Sequence, residues 1–357
     1  LIVHHLHLTY LTSVTARLKM ADSEPLDLVN IAVLLLYEWT TLDPRFQHTK
    51  LVEVAFPGQK VYSKPGLPVG DDTVSKRTWI ILKSKEGSQD DRDLSTNMVD
   101  KYIDHGLSDE QLDTVFYQKR AFNFCFPAVA LLQQFFDQFP PDTKLRIRLG
   151  PVNKQPGESC VTNVSRRTTV VTRFIQPKFQ TWIGVFGTTH PYFHGTVNDV
   201  VYSGIRQDMR HSVMLFKRLE DETYEFALDL ASMQFGNAGR GPGEKGKMPF
   251  ALDSMDQLHA RNARLASDSE TLKSSERADY KDYDQPGLNA LPSSAMLGDI
   301  ARRVKERWEN RDKEKWCGYC GAPGPKSKCS GCREVWFCGK EHQMMAWSFH
   351  KGYCRKD

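Results

Sequence analysis

The stretch Trp316–Asp357, WCGYCGAPGPKSKCSGCREVWFCGKEHQMMAWSFHKGYCRKD, holds six of the eight cysteines of the 357-residue chain. Its potential metal ligands fall into four short-range pairs. Two residues separate Cys317 from Cys320, and two separate Cys329 from Cys332. Three lie between Cys338 and His342, and three between His350 and Cys354. These are eight soft or borderline donors, enough for two tetrahedral zinc ions with structural roles.

The spacing has a physical reason. A segment this short cannot bury enough apolar surface to offset its chain entropy, so it needs staples. A Cys-x2-Cys knuckle sets two thiolates on one tight turn, and a Cys-x3-His pair sets two donors on one helix face. Spacing alone leaves the pairing open between a sequential and an interleaved arrangement.

Working outward, the stretch before the cluster, SSAMLGDIARRVKERWENRDKEKW, reads as a charged helix. Its apolar stripe of Met296, Ile300, Val304 and Trp308 packs on a neighbour or on the zinc module. Residues 301–357 hold fourteen Lys and Arg against seven Asp and Glu, so the positive charge sits at this end. Solvated linker charge accounts for that as well as an acidic partner does, and nucleic acid is not the expected partner. The two remaining cysteines, Cys125 and Cys160, are too few for a disulfide framework. Metal-bound thiolates then point to a reducing compartment, cytoplasm or nucleus. No run of eighteen apolar residues exists, so no membrane partner is expected.

The rest divides by composition. Residues 1–21, with no Met before Met20, read as a non-native or disordered extension. Residues 22–235 read as an α+β domain with helices leading and strands dominating its second half. Helices are expected at 22–43, at 108–120 behind a capping box, and over the apolar stretch AFNFCFPAVALLQQFFDQFP at 121–140, which Pro140-Pro141 ends. Strands are expected at 51–56, 60–63, 78–84, 144–150, 168–176 and as a pair over 211–230. Residues 236–291 read as a flexible linker, 292–315 as the charged helix, and 316–357 as the finger. Within the linker, GPGEKGK at 241–247 matches the start of a phosphate loop. Met248 stands where Ser or Thr should hold Mg²⁺ and no helix opens there, so it reads as a loop.

The full pattern, Cys-x2-Cys-x8-Cys-x2-Cys-x5-Cys-x3-His-Gln-x3-Trp-x2-His-x3-Cys, resembles a MYND-type zinc finger over Cys317–Cys354. His342 stands where that family usually has Cys. The resemblance implies interleaved sites, Cys317, Cys320, Cys338 and His342 in one and Cys329, Cys332, His350 and Cys354 in the other. It also implies a protein-interaction module that binds proline-containing peptides, with Gln343 and Trp347 at the binding surface. Trp347 packed as finger core is the competing assignment.

A second constellation lies upstream. Cys125 starts an apolar helix, His211 lies on a strand, and Asp229 closes the next strand. That order resembles transglutaminase-like and papain-like cysteine enzymes. There a helix N-terminus favours the thiolate, His takes the proton and a carboxylate orients the ring. Phe126 and Pro127 follow the cysteine, and the glycines usual around such a thiol are missing, so the likeness is to a degenerate member. The segment Asp229–Gly236, DLASMQFG, is similar to one in fungal MYND-containing proteins. His190 and His194 form a weaker pair, which Pro191 and Gly195 assign to a loop. An interaction protein is therefore the leading expectation. A cysteine hydrolase or transferase using Cys125, His211 and Asp229, with the finger as targeting module, is the alternative.

Overall fold

The computed structural model describes residues 24–43, 49–61, 77–84, 106–151, 157–189, 196–243, 245–277 and 292–355. The expected extension at 1–21 and the His190/His194 pair lie outside them. In chain order the elements are β1 (Leu26–Asp27), α1 (Leu28–Leu42), β2 (Thr49–Ala55), β3 (Thr78–Ser84), α2 (Asp109–Ala121), α3 (Cys125–Phe136) and β4 (Lys144–Arg148). There follow β5 (Ser159–Asn163), β6 (Arg167–Pro177), β7 (Thr181–Thr189), β8 (Thr196–Ser203), β9 (Asp208–Lys217) and β10 (Tyr224–Asp229). A 3-10 segment (Ser232–Gly239) leads to β11 (Ala251–Ser254), α4 (Met255–Leu265), β12 (Ala266–Ser275) and α5 (Ser294–Glu309). The finger contains β13 (Ser327–Lys328), β14 (Trp336–Phe337) and α6 (Lys340–His350).

Helix α1 is apolar almost all round, and it is a central core helix, as such a pattern demands. Its N-cap is Asp27, whose carboxylate accepts the Asn30 N–H at 3.1 Å. The same carboxylate accepts from Arg146 at 2.9 Å and Arg148 at 2.8 Å, which ties α1 to β4. Burial would raise the Asp27 pKa. The two guanidinium groups and the Asn30 bond outweigh it and hold the carboxyl below its ordinary range.

The largest sheet is antiparallel, in the order β11-β10-β9-β6-β12. Adjacent residues of β9 point to opposite faces. Met214 and Phe216 join the main core, where Phe136 of α3 meets Phe216 edge-on at 6.0 Å. Val213 and Leu215 face the other way and pack with Leu258 of α4. The sheet is therefore covered by α3 on one side and α4 on the other. A four-stranded sheet, β2-β3-β7-β8, closes against α2 through Leu51, Ile80, Leu82, Val115 and Ile183. The strand expected at 60–63 is reduced, among the described residues, to a single bridge residue at Lys60.

The flexible linker expected at 236–291 needs correction. Residues 251–275 form a strand, a helix and a second strand of the main sheet. Helix α4 opens with a Ser254/Gln257 capping box, and Arg261 pairs with Asp253 through bonds of 2.6 and 2.9 Å, both side chains buried. Strand β12, ASDSETLKSS, looks like linker because it is an edge strand. Most of its side chains are exposed, while its backbone pairs with β6 along most of its length. Gly241 and Met248 exchange backbone bonds of 3.2 and 2.7 Å and close the turn.

The charged helix is also part of the core. In α5, Leu297, Ile300, Ala301, Val304 and Trp308 are buried, and the helix packs on α1 and α3. The finger joins the same hydrophobic cluster. At its first knuckle Gly321, with φ of 77°, lies so close to α1 that a Cβ would stand 2.7 Å from the Val33 carbonyl oxygen. No described helix is long and apolar enough to cross a membrane.

Candidate functional site

The finger's eight donors form two groups. Cys317, Cys320, Cys338 and His342 make one, and Cys329, Cys332, His350 and Cys354 the other; within each, the ligand atoms lie within 4.8 Å of one another. The local backbone explains the convergence. The knuckle Cys317–Cys320 is closed by the Gly321 N–H on the Cys317 carbonyl at 2.9 Å, and Gly318 donates to Trp336 at 2.7 Å. Strands β13 and β14 pair between the two groups. Helix α6 brings His342 from its first turn to one group and His350 from its last to the other.

The distances suit a metal. Cys320 and Cys338 sulfurs are 3.7 Å apart, and so are those of Cys329 and Cys354. Cys317 Sγ is 3.4 Å from His342 Nδ1, and Cys332 Sγ is 3.6 Å from His350 Nε2. Tetrahedral zinc with Zn–S bonds of about 2.3 Å and Zn–N bonds of about 2.0–2.1 Å needs edges of roughly 3.5–3.8 Å. Disulfides would need sulfurs about 2.05 Å apart. Without a cation the groups compete for protons. Hydrogen bonds from Cys320 and Cys338 hold the Cys317 thiol far below its ordinary value, and the contact with Cys317 pushes Cys320 far above it. Zinc removes the conflict by ionising every thiol. Three thiolates and one imidazole leave no open position at either site, so both zinc ions are structural.

On the outer side of α6, Trp347 is 45% exposed and Met344 59%, while Met345, Ala346 and Phe349 face inward. Gln343 is half-buried one turn before Trp347. The finger docks through its own side chains. The buried Tyr319 donates its hydroxyl to Asp113 at 2.5 Å and accepts from Arg240 at 3.0 Å. Arg240 also pairs with Asp113 at 2.6 Å. Tyr353 donates to the Leu149 carbonyl at 2.6 Å, with the Arg148 guanidinium 5.0 Å from its ring centre.

The upstream constellation comes together as well. Cys125 is the first residue of α3, whose N-cap Phe124 makes no side-chain capping bond. Asp229 Oδ2 lies 2.7 Å from Nε2 of His211, and the Ala231 N–H donates to the other carboxylate oxygen at 2.9 Å. The Cys125 side chain lies close enough to the ring to favour its protonated form. Burial pulls the His211 pKa down. Asp229 and then Cys125 overcome this and raise it to about 10. The ring stacks on Phe174 at 5.7 Å and meets Phe235 edge-on at 5.3 Å.

Gln234 was not among the expected site residues, yet its amide nitrogen lies 2.6 Å from His211 Nδ1. The DLASMQFG segment held that signal, but no spacing rule connects residue 234 to a ring on β9. Cys125, His211, Asp229 and Gln234 are each at most 5% exposed.

Residues 317–354 match the MYND finger family. The match covers the eight ligands with Gln343 and Trp347 and stops short of the α+β region. No curated protein and no solved structure matches the chain. The chain thus carries a MYND finger with two zinc sites, a module for zinc-dependent protein–protein interaction.

Proposed function

We propose that the finger binds a proline-containing segment of a partner protein on the outer face of α6, with Trp347 as the stacking platform and Gln343 bonding the peptide backbone. The observation that carries this is the exposure of Trp347, at 45%, beside Met344 on a helix whose opposite side is buried. An indole left in water loses apolar burial that a proline ring can restore, and its flat face suits extended, proline-containing chain. Binding to an array of synthetic proline-containing peptides tests it. Trp347→Ala should weaken binding by about tenfold or more, the scale of an aromatic anchor, with zinc content unchanged. Binding unaffected by that substitution would sink the assignment of the surface.

A second reading is favoured by one specific contact, the 2.7 Å His211–Asp229 bond beside Cys125 at a helix start. In it the α+β domain is a cysteine hydrolase or transferase, and the finger selects its partner. The Cys125 thiolate adds to an acyl carbonyl carbon, and the C–S bond forms as the bond to the leaving group breaks. His211 first takes the thiol proton and then gives it to the leaving group. Water or an amine completes transfer by attacking the thioester and freeing the thiol. Asp229 orients the ring and stabilises its positive form. Tryptic cleavage after Arg120 and Lys144 isolates Cys125 on its own peptide, so its alkylation by iodoacetamide can be followed in the zinc-loaded chain. Cys160, whose thiol burial pushes up to about 11, is the slow internal comparator. Cys125 should react faster than Cys160 at neutral pH and slow by about a hundredfold in His211→Gln. Equal rates in wild type and variant would remove the enzyme reading.

A further inference from the structure

Both ring nitrogens of His211 are already engaged. Asp229 occupies Nε2 at 2.7 Å and Gln234 occupies Nδ1 at 2.6 Å. A base that is to take the Cys125 proton needs one nitrogen turned to the thiol, and Asp229 is the partner that makes the ring basic. The nitrogen left for the thiol is therefore the one Gln234 holds. With the ring neutral, the Gln234 amide donates to Nδ1 and fills the lone pair that would accept the thiol proton. With the ring charged, the amide must turn so that its oxygen accepts from Nδ1–H. In both states Gln234 competes with Cys125.

The segment that carries Gln234 has the form of a cover. Phe235 lies edge-on over the ring, and Phe174 backs it from β6. The segment is pinned in front, where the Ala231 N–H bonds to Asp229 at 2.9 Å. It is pinned behind at Arg240, which holds Asp113 and the finger's Tyr319. Between the pins, Gly236 breaks the helical path with φ of 61°, and a Cβ there would meet the Gln118 side chain at 3.3 Å. The front pin belongs to the ring's own carboxylate; the rear one, where Arg240 also bonds Thr114 at 2.9 Å and the Lys247 carbonyl at 2.7 Å, is the end that meets the finger.

We propose that Gln234 is a latch that keeps the Cys125–His211 site at rest, and that it is released by movement of Ser232–Gly239 at its Arg240 end. This rests on the enzyme reading of that site and adds its regulation. A partner seated on the finger would act through the Tyr319–Arg240 contact. The groups facing the ring are Asp229, Gln234, Cys125, Phe174 and Phe235, and Gln234 is the polar one among them that can leave a ring nitrogen free without removing nucleophile or carboxylate.

The experiment is the rate of iodoacetamide alkylation of the Cys125 peptide in the zinc-loaded full chain, as a function of pH, for wild type, Gln234→Ala and His211→Gln. The latch predicts that Gln234→Ala is faster than wild type by about tenfold, the scale set by one buried hydrogen bond. It also predicts a pH profile that reaches a plateau already near neutral pH, below the ordinary thiol range, because the ring then holds the thiol as thiolate. A rate that rises only through the ordinary thiol range would mean that the substitution opened the fold without freeing the base, and would overturn the latch. A Gln234→Ala rate equal to or below wild type would overturn it too, and would leave Gln234 as a supporting partner of the ring. His211→Gln judges the underlying reading separately. If it slows wild type while Gln234→Ala fails to accelerate, the thiol site stands and the latch falls. If it leaves wild type unchanged, the reading itself has failed.

Discussion

Two clusters in this chain use the same side chains, cysteine and histidine, for opposite arrangements. In each finger site three sulfurs and one ring nitrogen converge, the closest at 3.3–3.7 Å, with no carboxylate among them. Around His211 the contacts are 2.6 and 2.7 Å, and they run as a relay through amide, imidazole and carboxylate with the thiol alongside. Convergent donors with surplus negative charge require a cation. A relay in which each donor faces an acceptor requires none. What distinguishes a metal site from a proton-transfer site is therefore the geometry of the donors and the presence of an acid, more than the residue types.

The largest expected effect separates the clusters by their dependence on metal. Structural zinc contributes about 10–16 kcal/mol of apparent binding free energy in zinc-finger peptides, as much as the whole stability of a typical domain. Chelation should unfold the finger. Because Tyr319, Gly321 and Tyr353 are built into the main core, it should also lower the thermal midpoint of the whole chain. Calorimetry with and without EDTA reads this, and a main transition that stays put after zinc loss would show the finger to be an independent unit. Cys125→Ser, in contrast, should cost roughly 1–2 kcal/mol and leave both zinc ions in place.

The next effect contrasts two buried ion pairs by pH. The His211 pKa is raised from 6.5 to about 10, so the stability it contributes is complete below pH 6.5 and is lost as pH rises through 10. Asp27 is depressed below 3.8, so its contribution is complete above pH 3.8 and is lost as pH falls through the lowered value. Urea midpoints across pH, with zinc in excess to suppress acid release of the metal, should fall at both ends. Asp27→Asn should flatten the acid side at a cost of about 3 kcal/mol, the low end for a broken buried pair, because Arg146 and Arg148 keep some water. His211→Gln should flatten the alkaline side. An alkaline limb that survives His211→Gln would assign it to other groups.

What was legible in the sequence was what local spacing encodes. The finger's ligand pairs lie within five residues of each other, and the Ser108/Gln111 capping box is written in four. The order of Cys125, His211 and Asp229 was legible because a helix start and two neighbouring strands are each visible in pattern. Strand β12 was not, because an edge strand is held by backbone groups that every residue carries, and its side chains face water. Gln234 and the Tyr319–Asp113–Arg240 contact were not, because each joins residues more than twenty positions apart with no periodic pattern.

The smallest effect asks whether the two clusters are as separate as their chemistry. Tyr319→Phe removes one hydroxyl from a contact in which Asp113 and Arg240 still hold each other at 2.6 Å. The loss should be about 1 kcal/mol, the ordinary worth of a hydrogen bond when its partners remain paired, with zinc content unchanged. Arg240 would keep Asp113 but lose its one bond to the finger, and Arg240 ends the segment that carries Gln234. If that segment transmits, Cys125 alkylation should rise about two- to threefold, less than in Gln234→Ala, because the latch is loosened and not removed. A Cys125 rate that ignores Tyr319→Phe while responding to Gln234→Ala would keep the latch and confine the finger to holding its partner. A rise in Tyr319→Phe that is absent when Gln234→Ala is already present would place both residues on one path, since a second release of the same latch adds nothing.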